Sequence, residues 1–579
     1  MVALLWTAFA FVFAFAATLA RPGFQGRAEA DPTCRYLPSD EGWPSTEQWA
    51  QLNASVSGRL IATVPAGHVC HDPTYDAAAC AALQGSWALP QTQFVDSSGF
   101  MSSYFQNATC DPYTPRNQSC VRGNYVEYAI NVTCVKDVVA GLKFAQEKNI
   151  RLVIKNTGHD YLGKSTGKGG LSLWMHNLKS ITFSNYTSEA YTGPAVKMGA
   201  GVQAFEAYAA ADKVGLNVVG GQCPTVGIAG GYTQGGGHSL LSSKHGLGAD
   251  QALEWEVVTA NGTLVTASPI QNSDLYWALS GGGGGTYGVV LSLTAKAYPD
   301  NKVGGVSLSF ATATRDDDTL WDAVTFFQQH ALPDIVDAGA HVQWGIYGSA
   351  FSLSEATIPG ATEWDMRAVF APFTEYLDAK SIPYQMNVTE YSTFYEHANQ
   401  YIGPLPYGVI PAAQIQGGVM ISRTTALEST LTLVSTLRDI FLNSPGFFIA
   451  SYALDVSTPP ASPNAVLPAW RTTLSYIVIF QFWNYSAPIE YMQEQERILT
   501  EDIMPPLQEL GSGAYMNEAD FANPRWKEEF YGENYEALVE VKRKWDPEGV
   551  FWARTAVGSE DWVEDGGQRL CRVERALDS

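Results

Sequence analysis

Between Val218 and His238 the chain reads VVGGQCPTVGIAGGYTQGGGH, with eight glycines, one cysteine (Cys223) and no charged side chain before the closing histidine. Glycine reaches positive φ without strain and lets another molecule lie directly against the main chain. Successive N–H groups in such a run can line a hollow that binds anions. Two kinds of structure satisfy the stretch. Either backbone wraps closely around something flat and anionic with a thiol aimed at it, or a surface loop holds a half-cystine. Composition leaves both open.

With 579 residues the chain is expected to divide into two or three domains, because no single core spans that length. A net charge of −23 argues against nucleic-acid or anionic-membrane partners, which select basic patches. Met1 to Ala20 is apolar and is followed by Arg21, with small residues offering cleavage after Ala20 or after Ala28-Glu29-Ala30. Residues 1–30 therefore read as a secretory signal, so that the mature protein is extracellular and free of the membrane. An uncleaved anchor is the alternative, since about 20 apolar residues span a bilayer. Sequons at Asn53, Asn107, Asn117, Asn131, Asn185, Asn261, Asn387 and Asn484 agree with export. Cys34, Cys70, Cys80, Cys110, Cys120 and Cys134 crowd the first quarter and read as local disulfide staples, with residues 31–115 as a Cys-rich extension. His68, Cys70, His71 and Cys80 could hold a metal, but disulfides are favoured, and no metal is expected. Cys571 stands alone near the end and is the one alternative partner for Cys223.

From Tyr125 an α/β rhythm sets in. Tyr125–Ile130 and Ile150–Lys155 read as strands on either side of a helix over Lys136–Lys148. Gly158 to Ser165 matches the phosphate loop G-x-x-x-x-G-K-S, yet Thr166 to Gly170 and a strand-like LSLWM follow where such a loop needs a helix. Nucleotide hydrolysis is rejected on that ground. Val196–Ala200 reads as a strand, Val202–Lys213 as a helix, and Ala252–Thr266 as a hairpin turning at Asn261-Gly262. Gly283 to Gly288 fits G-x-G-x-x-G, but a strand over Val289–Tyr298 follows where a dinucleotide fingerprint demands a helix. Beyond Asn301 the pattern predicts one antiparallel sheet from Val306–Phe310, His341–Tyr347, Ala368–Phe373, Phe447–Leu454 and Tyr476–Trp483. Helices over Asp317–His330 and Leu427–Leu442 cover one face, and the other is open to a small apolar or aromatic ligand. Phe530–Trp562 reads as a charged helix, a turn at Asp546-Pro547 and a short tail.

NTGHDYLG, the Cys-Pro-Thr-Val-Gly loop with its GGG, DLYWALSGGGGGTYGVV, GAYMNEAD, and YGENY with WDPEGVF follow one another over about residues 120–565. In these runs the chain resembles the berberine bridge enzyme-like branch of the vanillyl-alcohol oxidase superfamily, whose FAD-binding domain is of the PCMH type. It is most similar to fungal isoamyl alcohol oxidase-like members. The resemblance implies an α+β fold in which an FAD-binding domain of two α/β subdomains (116–300) meets a substrate domain with a helix-covered antiparallel sheet (301–520). A C-terminal segment (521–579) returns to the FAD domain.

The resemblance further implies bicovalent FAD, with His159 on the 8α-methyl and Cys223 at C6. An imidazole and a thiolate are nucleophiles suited to an electron-poor ring. Asn156, Thr157, Gly158 and Gly163 would cradle the pyrophosphate, and Gly220, Gly221, Thr225, Gly227 and Gly230 would pass along the ribityl chain and ring. Gly246 to Asp250 with Val257 and Val258 would frame the adenine side, and Asn534 and Tyr535 would return to the flavin. The family's loop often has one residue fewer before the GGG, which affects Gly231 to Gln234. The implied reaction is oxidation of a small-molecule CH–OH group by hydride transfer to flavin N5, with Tyr515 as base and Tyr161 supporting it. A phenol of pKa about 10 needs a cation or hydrogen bonds to serve as base. Glu518 and Asp520 are the carboxylates nearby. Val226 matches a position that leaves room for O2, favouring an oxidase that releases H2O2. Oxidative cyclisation or desaturation of a secondary metabolite is the alternative reaction, and a non-catalytic flavin-binding secreted glycoprotein is the alternative outside enzymes.

Overall fold

A computed structural model describes residues 34–408 and 413–573, so the apolar run before Arg21 lies outside the described residues. The architecture is α+β. A four-stranded sheet in the order Leu60–Ala62, Tyr128–Asn131, Leu171–Trp174, Leu152–Lys155 is parallel across its last three strands. The helix Val135–Glu147 makes the crossover between two of them. Asp137 starts it by accepting from the N–H groups of Thr133 and Cys134, at 2.9 and 3.2 Å. Val138, Gly141, Leu142 and Ala145 recur at helical spacing and bury one face. Gly141 lets that face close on the sheet, since a Cβ there would sit 2.6 Å from Leu173.

A second, antiparallel sheet runs Ile181–Thr187, Thr192–Gly199, Val289–Lys296, Ala252–Val258, Leu264–Ala267. The hairpin at Asn261-Gly262 and the strand after the five-glycine run are both present.

The third sheet has seven antiparallel strands, ordered Tyr384–Tyr391, Val303–Ala311, Ala350–Pro359, His341–Tyr347, Phe448–Ala453, Thr473–Phe482, Gln414–Ser422. Ile346, Ile449, Ile477 and Ile479 pack in one core with the helices Asp318–Phe326, Glu363–Ala379 and Thr430–Asn443. Alternate residues, among them Ala450, Tyr476, Val478 and Phe480, face the other way and pack with Leu247, Ala249, Trp470 and Tyr515.

Ala368–Phe373, expected as a strand, lies instead inside the helix Glu363–Ala379. Thr362 and Asp365 form a capping box, and Met366, Phe370, Phe373 and Leu377 are buried at helical spacing. The cysteines also differ from the local-staple reading. Cys70–Cys80 and Cys110–Cys120 are local, but Cys34 pairs with Cys571 across 537 residues. Cys571 is therefore no partner for Cys223, Cys70 and Cys80 are no metal ligands, and the odd thiol is Cys134. No cluster of metal-ligating side chains occurs among the described residues.

Candidate active site

Two loops converge here. The first leaves the strand Leu152–Lys155 as Asn156–Gly163. Gly158 and Gly163 adopt φ of +84° and +77°, which side chains rarely tolerate. The Asp160 carboxylate folds back to accept from the N–H groups of Leu162 and Ser165, at 2.8 and 2.9 Å. Those amides of the phosphate-loop look-alike are thus committed to a side chain. After Ser165 come turns and the strand Leu171–Trp174, with no helix to offer a phosphate.

The second loop, Cys223–Ile228, lies across the start of the helix Ala204–Asp212. A helix begins with N–H groups that lack partners within it. Here Ala204 and Phe205 donate to the carbonyls of Val226 and Pro224, each at 2.9 Å. Gln203 Nε2 adds a bond of 2.7 Å to the Thr225 carbonyl. So anchored, the fully buried Thr225 places Oγ1 2.6 Å from His159 Nε2. Cys223 Sγ lies 3.9 Å from the same nitrogen and 3.7 Å from Thr225 Oγ1. Two nucleophiles far apart in the chain thus meet at one point.

Burial pushes the His159 imidazole down to about 3, so the ring is neutral. Burial also pushes the Cys223 thiol up, only partly offset by hydrogen bonds from Thr225. The resting form is therefore the thiol rather than the expected thiolate.

Tyr515 is buried, and its hydroxyl accepts from Asn517 Nδ2 at 2.8 Å. The same amide donates to the Gly231 carbonyl at 2.8 Å, pinning the tyrosine segment to the glycine loop. Burial and the Glu518 charge push the Tyr515 phenol up; burial, Cys223 and Glu518 do the same to Tyr161. Hydrogen bonds from the Asn517 amide and the Gly237 backbone offset burial and the Glu518 charge only in part, so its environment disfavours the role of base.

The pattern reading passed over His238, the one ionisable residue closing the glycine run. Its Nε2 lies 3.0 Å from Glu518 Oε1, with 6% and 23% of the two side chains exposed, so the carboxylate is the member that reaches open space. Behind this pair, His341 Nδ1 lies 3.1 Å from Glu355 Oε2, and the two imidazoles are parallel within 2° at 6.1 Å. Gln222, beside Cys223, brings Nε2 to 3.5 Å from Glu355 Oε2. His238 Nδ1, His341 Nε2 and Gln222 Oε1 are buried without partners. Asp520, the other carboxylate considered, is buried and accepts from Thr500.

The remaining residues divide. Gly227 and Gly230 press against Asn156, where a Cβ would come within 2.4 and 2.8 Å of Nδ2, and Gly220 lies under Tyr208. Thr157 is buried beside them. Val257 is fully buried within the second sheet. Asn534 Nδ2 donates to the carbonyls of Ala465 and Val466, the segment bonded to Ser280 beside Gly281, and Tyr535 gives its hydroxyl to Glu560 at 2.6 Å in the C-terminal segment.

A model of an FAD binding domain matches residues 126–268, and one described as berberine and berberine like matches 514–558. The FAD-linked oxidoreductase ZEB1 of Gibberella zeae is 44% identical over 551 residues, covering 94% of this chain and 96% of the relative. The bifunctional decalin synthase calF of Penicillium decumbens is 41% identical over 554 residues, covering 93% and 96%. The crystal structure of the VAO-type flavoprotein MtVAO615 from Myceliophthora thermophila C1 superposes with a TM-score of 0.89 at 44% identity, covering 93% of this chain and all of that one. The chain belongs to the VAO-type flavoprotein family. This flavoprotein is an FAD-linked oxidoreductase, and its glycine loop fits the cofactor. Gly221 and Gly231 have ordinary φ, and a Cβ on them would meet no protein atom nearer than 3.5 and 3.9 Å. Protein packing does not demand their bareness; a flat ligand lying against the main chain would. Asn156 Oδ1, buried without a partner beside them, is an acceptor ready for that ligand.

Proposed function

We propose that this flavoprotein is a secreted oxidase that holds FAD through both His159 and Cys223 and oxidises a CH–OH group of a small molecule. The observation that carries the reading is the 3.9 Å between His159 Nε2 and Cys223 Sγ, with a neutral imidazole beside the thiol. Both can then reach one edge of a single ring. The three disulfides support passage through an oxidising compartment. When bound, FAD supplies the two-electron acceptor and passes the electrons to O2, releasing H2O2.

The chain's own residues do the rest. Thr225 orients His159 and, through its hydrogen bonds to Cys223, favours the thiolate form in which the sulfur is a nucleophile. Glu518, held by His238, accepts the hydroxyl proton of the alcohol. It is the one carboxylate whose charge acts on Cys223, Tyr161 and Tyr515 alike. Tyr515 and Tyr161 line the space and keep it dry, and Val226 leaves access for O2.

The test is peroxide release from purified holoprotein across a panel of primary and secondary alcohols, sugars and cyclic amines. Release from alcohols supports the reading; flavin that no member of the panel bleaches points to a non-catalytic glycoprotein. A second reading, oxidative cyclisation, draws on the kinship with the decalin synthase. It predicts a product whose carbon skeleton changes, seen by mass spectrometry and NMR.

A further inference from the structure

Along the helix Ile489–Ile498 the charged residues Glu490, Glu494 and Arg497 are exposed, while Met492, Gln495, Glu496 and Leu499 recur at helical spacing on the buried side. Glu496 is the one carboxyl in that stripe, with 3% of its surface exposed, a depth at which glutamate is rarely left unpaired. Arg497, next to it, turns outward to Glu494 and Glu501.

Among the described residues no N–H or hydroxyl donor reaches either Glu496 oxygen, and the group it faces is the carboxyl of Asp520, also 3% exposed. Two bare carboxylates do not share a dry space, so one proton lies between them. Asp520 is the member held as the anion. Its Oδ1 accepts from the Ala522 N–H at 2.7 Å and its Oδ2 from the Thr500 hydroxyl at 2.8 Å. Glu496 has no such donors and keeps the proton; burial and the Asp520 charge push its carboxyl well above the ordinary 4.5. The Tyr104 phenol faces both carboxyls from the helix Ser103–Gln106, and Arg554 acts on that phenol but pairs with Glu564 at 2.6 Å. No cation pairs with either carboxyl among the described residues.

What Asp520 fastens is the stretch that carries Glu518. Glu518 stands two residues earlier, and its carbonyl accepts from the Tyr476 hydroxyl at 2.9 Å. Asp520 is the next fixed point, and after it Phe521 packs on Tyr104 and Phe105 at 4.6 and 4.8 Å. Ala519 and Phe521, on either side of Asp520, line a crevice with Tyr161, two residues from His159. The fastening thus borders the space beside the reaction centre.

We propose that Glu496 is a positioning residue that, as a neutral acid, donates one hydrogen bond to the Asp520 carboxylate and thereby holds the Glu518 stretch in place. When hydroxide removes that proton, two carboxylates face each other without a counter-charge, and the stretch loosens. The inference rests on Glu518 as the proton acceptor of the reaction, but the shared proton is measured apart from it.

Wild-type, Glu496→Gln and Glu496→Leu holoproteins are compared from neutral to alkaline pH. The readouts are hydrogen–deuterium exchange of peptides covering residues 514–523, calorimetric Tm, and kcat for peroxide release. A glutamine amide donates to Asp520 as the acid does but has no proton to lose in this range; leucine has no donor. A proton that the fold holds above the ordinary 4.5 stabilises in full below that value, and the stability is lost as pH rises toward the folded value. Wild type should therefore lose Tm, exchange protection in 514–523 and kcat together as pH rises, and Glu496→Gln should hold all three further into the alkaline range. Glu496→Leu should exchange faster in 514–523 and lose kcat by roughly tenfold already at neutral pH, the effect of one hydrogen bond. Identical pH profiles of Tm and exchange in wild type and Glu496→Gln overturn the proposal, as does wild-type exchange in Glu496→Leu. A stretch that loosens with pH in wild type alone, while kcat holds or no alcohol yields peroxide, upholds the shared proton and defeats Glu518 as the base.

Discussion

In the proposed reaction the chemistry turns on Glu518. Its carboxylate is held by His238, whereas Tyr515 has a phenol driven upward by burial and by that same negative charge. Glu518→Gln keeps the shape and removes the proton acceptor, so kcat should fall by roughly 10²- to 10⁴-fold, the usual worth of a positioned base. Tyr515→Phe should cost less than about tenfold in kcat, since it removes an acceptor for Asn517 and the Gly237 backbone and no proton acceptor. Rapid-mixing measurement of the reductive half-reaction checks both, and the opposite ranking would restore the tyrosine as base. His159 and Cys223 stood out in the sequence because each sits in a glycine-rich loop, NTGHDYLG and VVGGQCPTVG, that carries the family resemblance. The His238–Glu518 pair did not, because 280 residues separate the two and only the folded chain brings the third sheet's end to the glycine loop.

At the scale of elements, the third sheet depends on backbone closeness. At Gly418 a Cβ would lie 1.9 Å from the Tyr476 hydroxyl, which itself donates to the Glu518 carbonyl at 2.9 Å. Gly418→Ala should therefore destabilise the protein by about 1–3 kcal/mol, the range for overpacking a core, and displace Glu518 as well. Denaturant unfolding measures the first effect and kcat the second. The strands His341–Tyr347 and Phe448–Ala453 could be read from alternation, whereas Glu363–Ala379 could not: Ala368 to Phe373 is apolar enough for a buried strand, and Pro372 inside it argues against a helix. The capping box at Thr362 and the burial of Phe370 and Phe373 outweigh that single proline. The strand Tyr384–Tyr391 went unread although Tyr384, Met386 and Val388 alternate toward the core, because polar residues separate them and that face is only half-buried at the sheet edge.

Across the whole molecule, the two ends are fastened together. Cys34 and Cys571 close a loop of 537 residues, and Arg569 pairs with Asp40 at 2.6 Å beside them. Cys34→Ser should lower stability by about 2–5 kcal/mol, with calorimetric Tm as the check. No spacing rule pairs cysteines so far apart, which is why the sequence leaves Cys571 unassigned. Acid acts globally through buried imidazoles. His397 is held down to about 3 and His245 to about 4 by burial, below the ordinary 6.5 that returns on unfolding. As pH falls from about 6.5 toward 3 the unfolded chain gains protons that these groups refuse in the fold, so stability present above 6.5 is lost progressively. His397→Gln should flatten the decline of Tm over that range.

Whether His159 and Cys223 grip one flavin, as proposed, is decided by proteolysis of the purified holoprotein followed by mass spectrometry. The expected result is a single yellow species whose mass equals the His159 peptide, the Cys223 peptide and one FAD joined together. Both peptides at their unmodified masses, with the colour lost to the supernatant on denaturation, would contradict it.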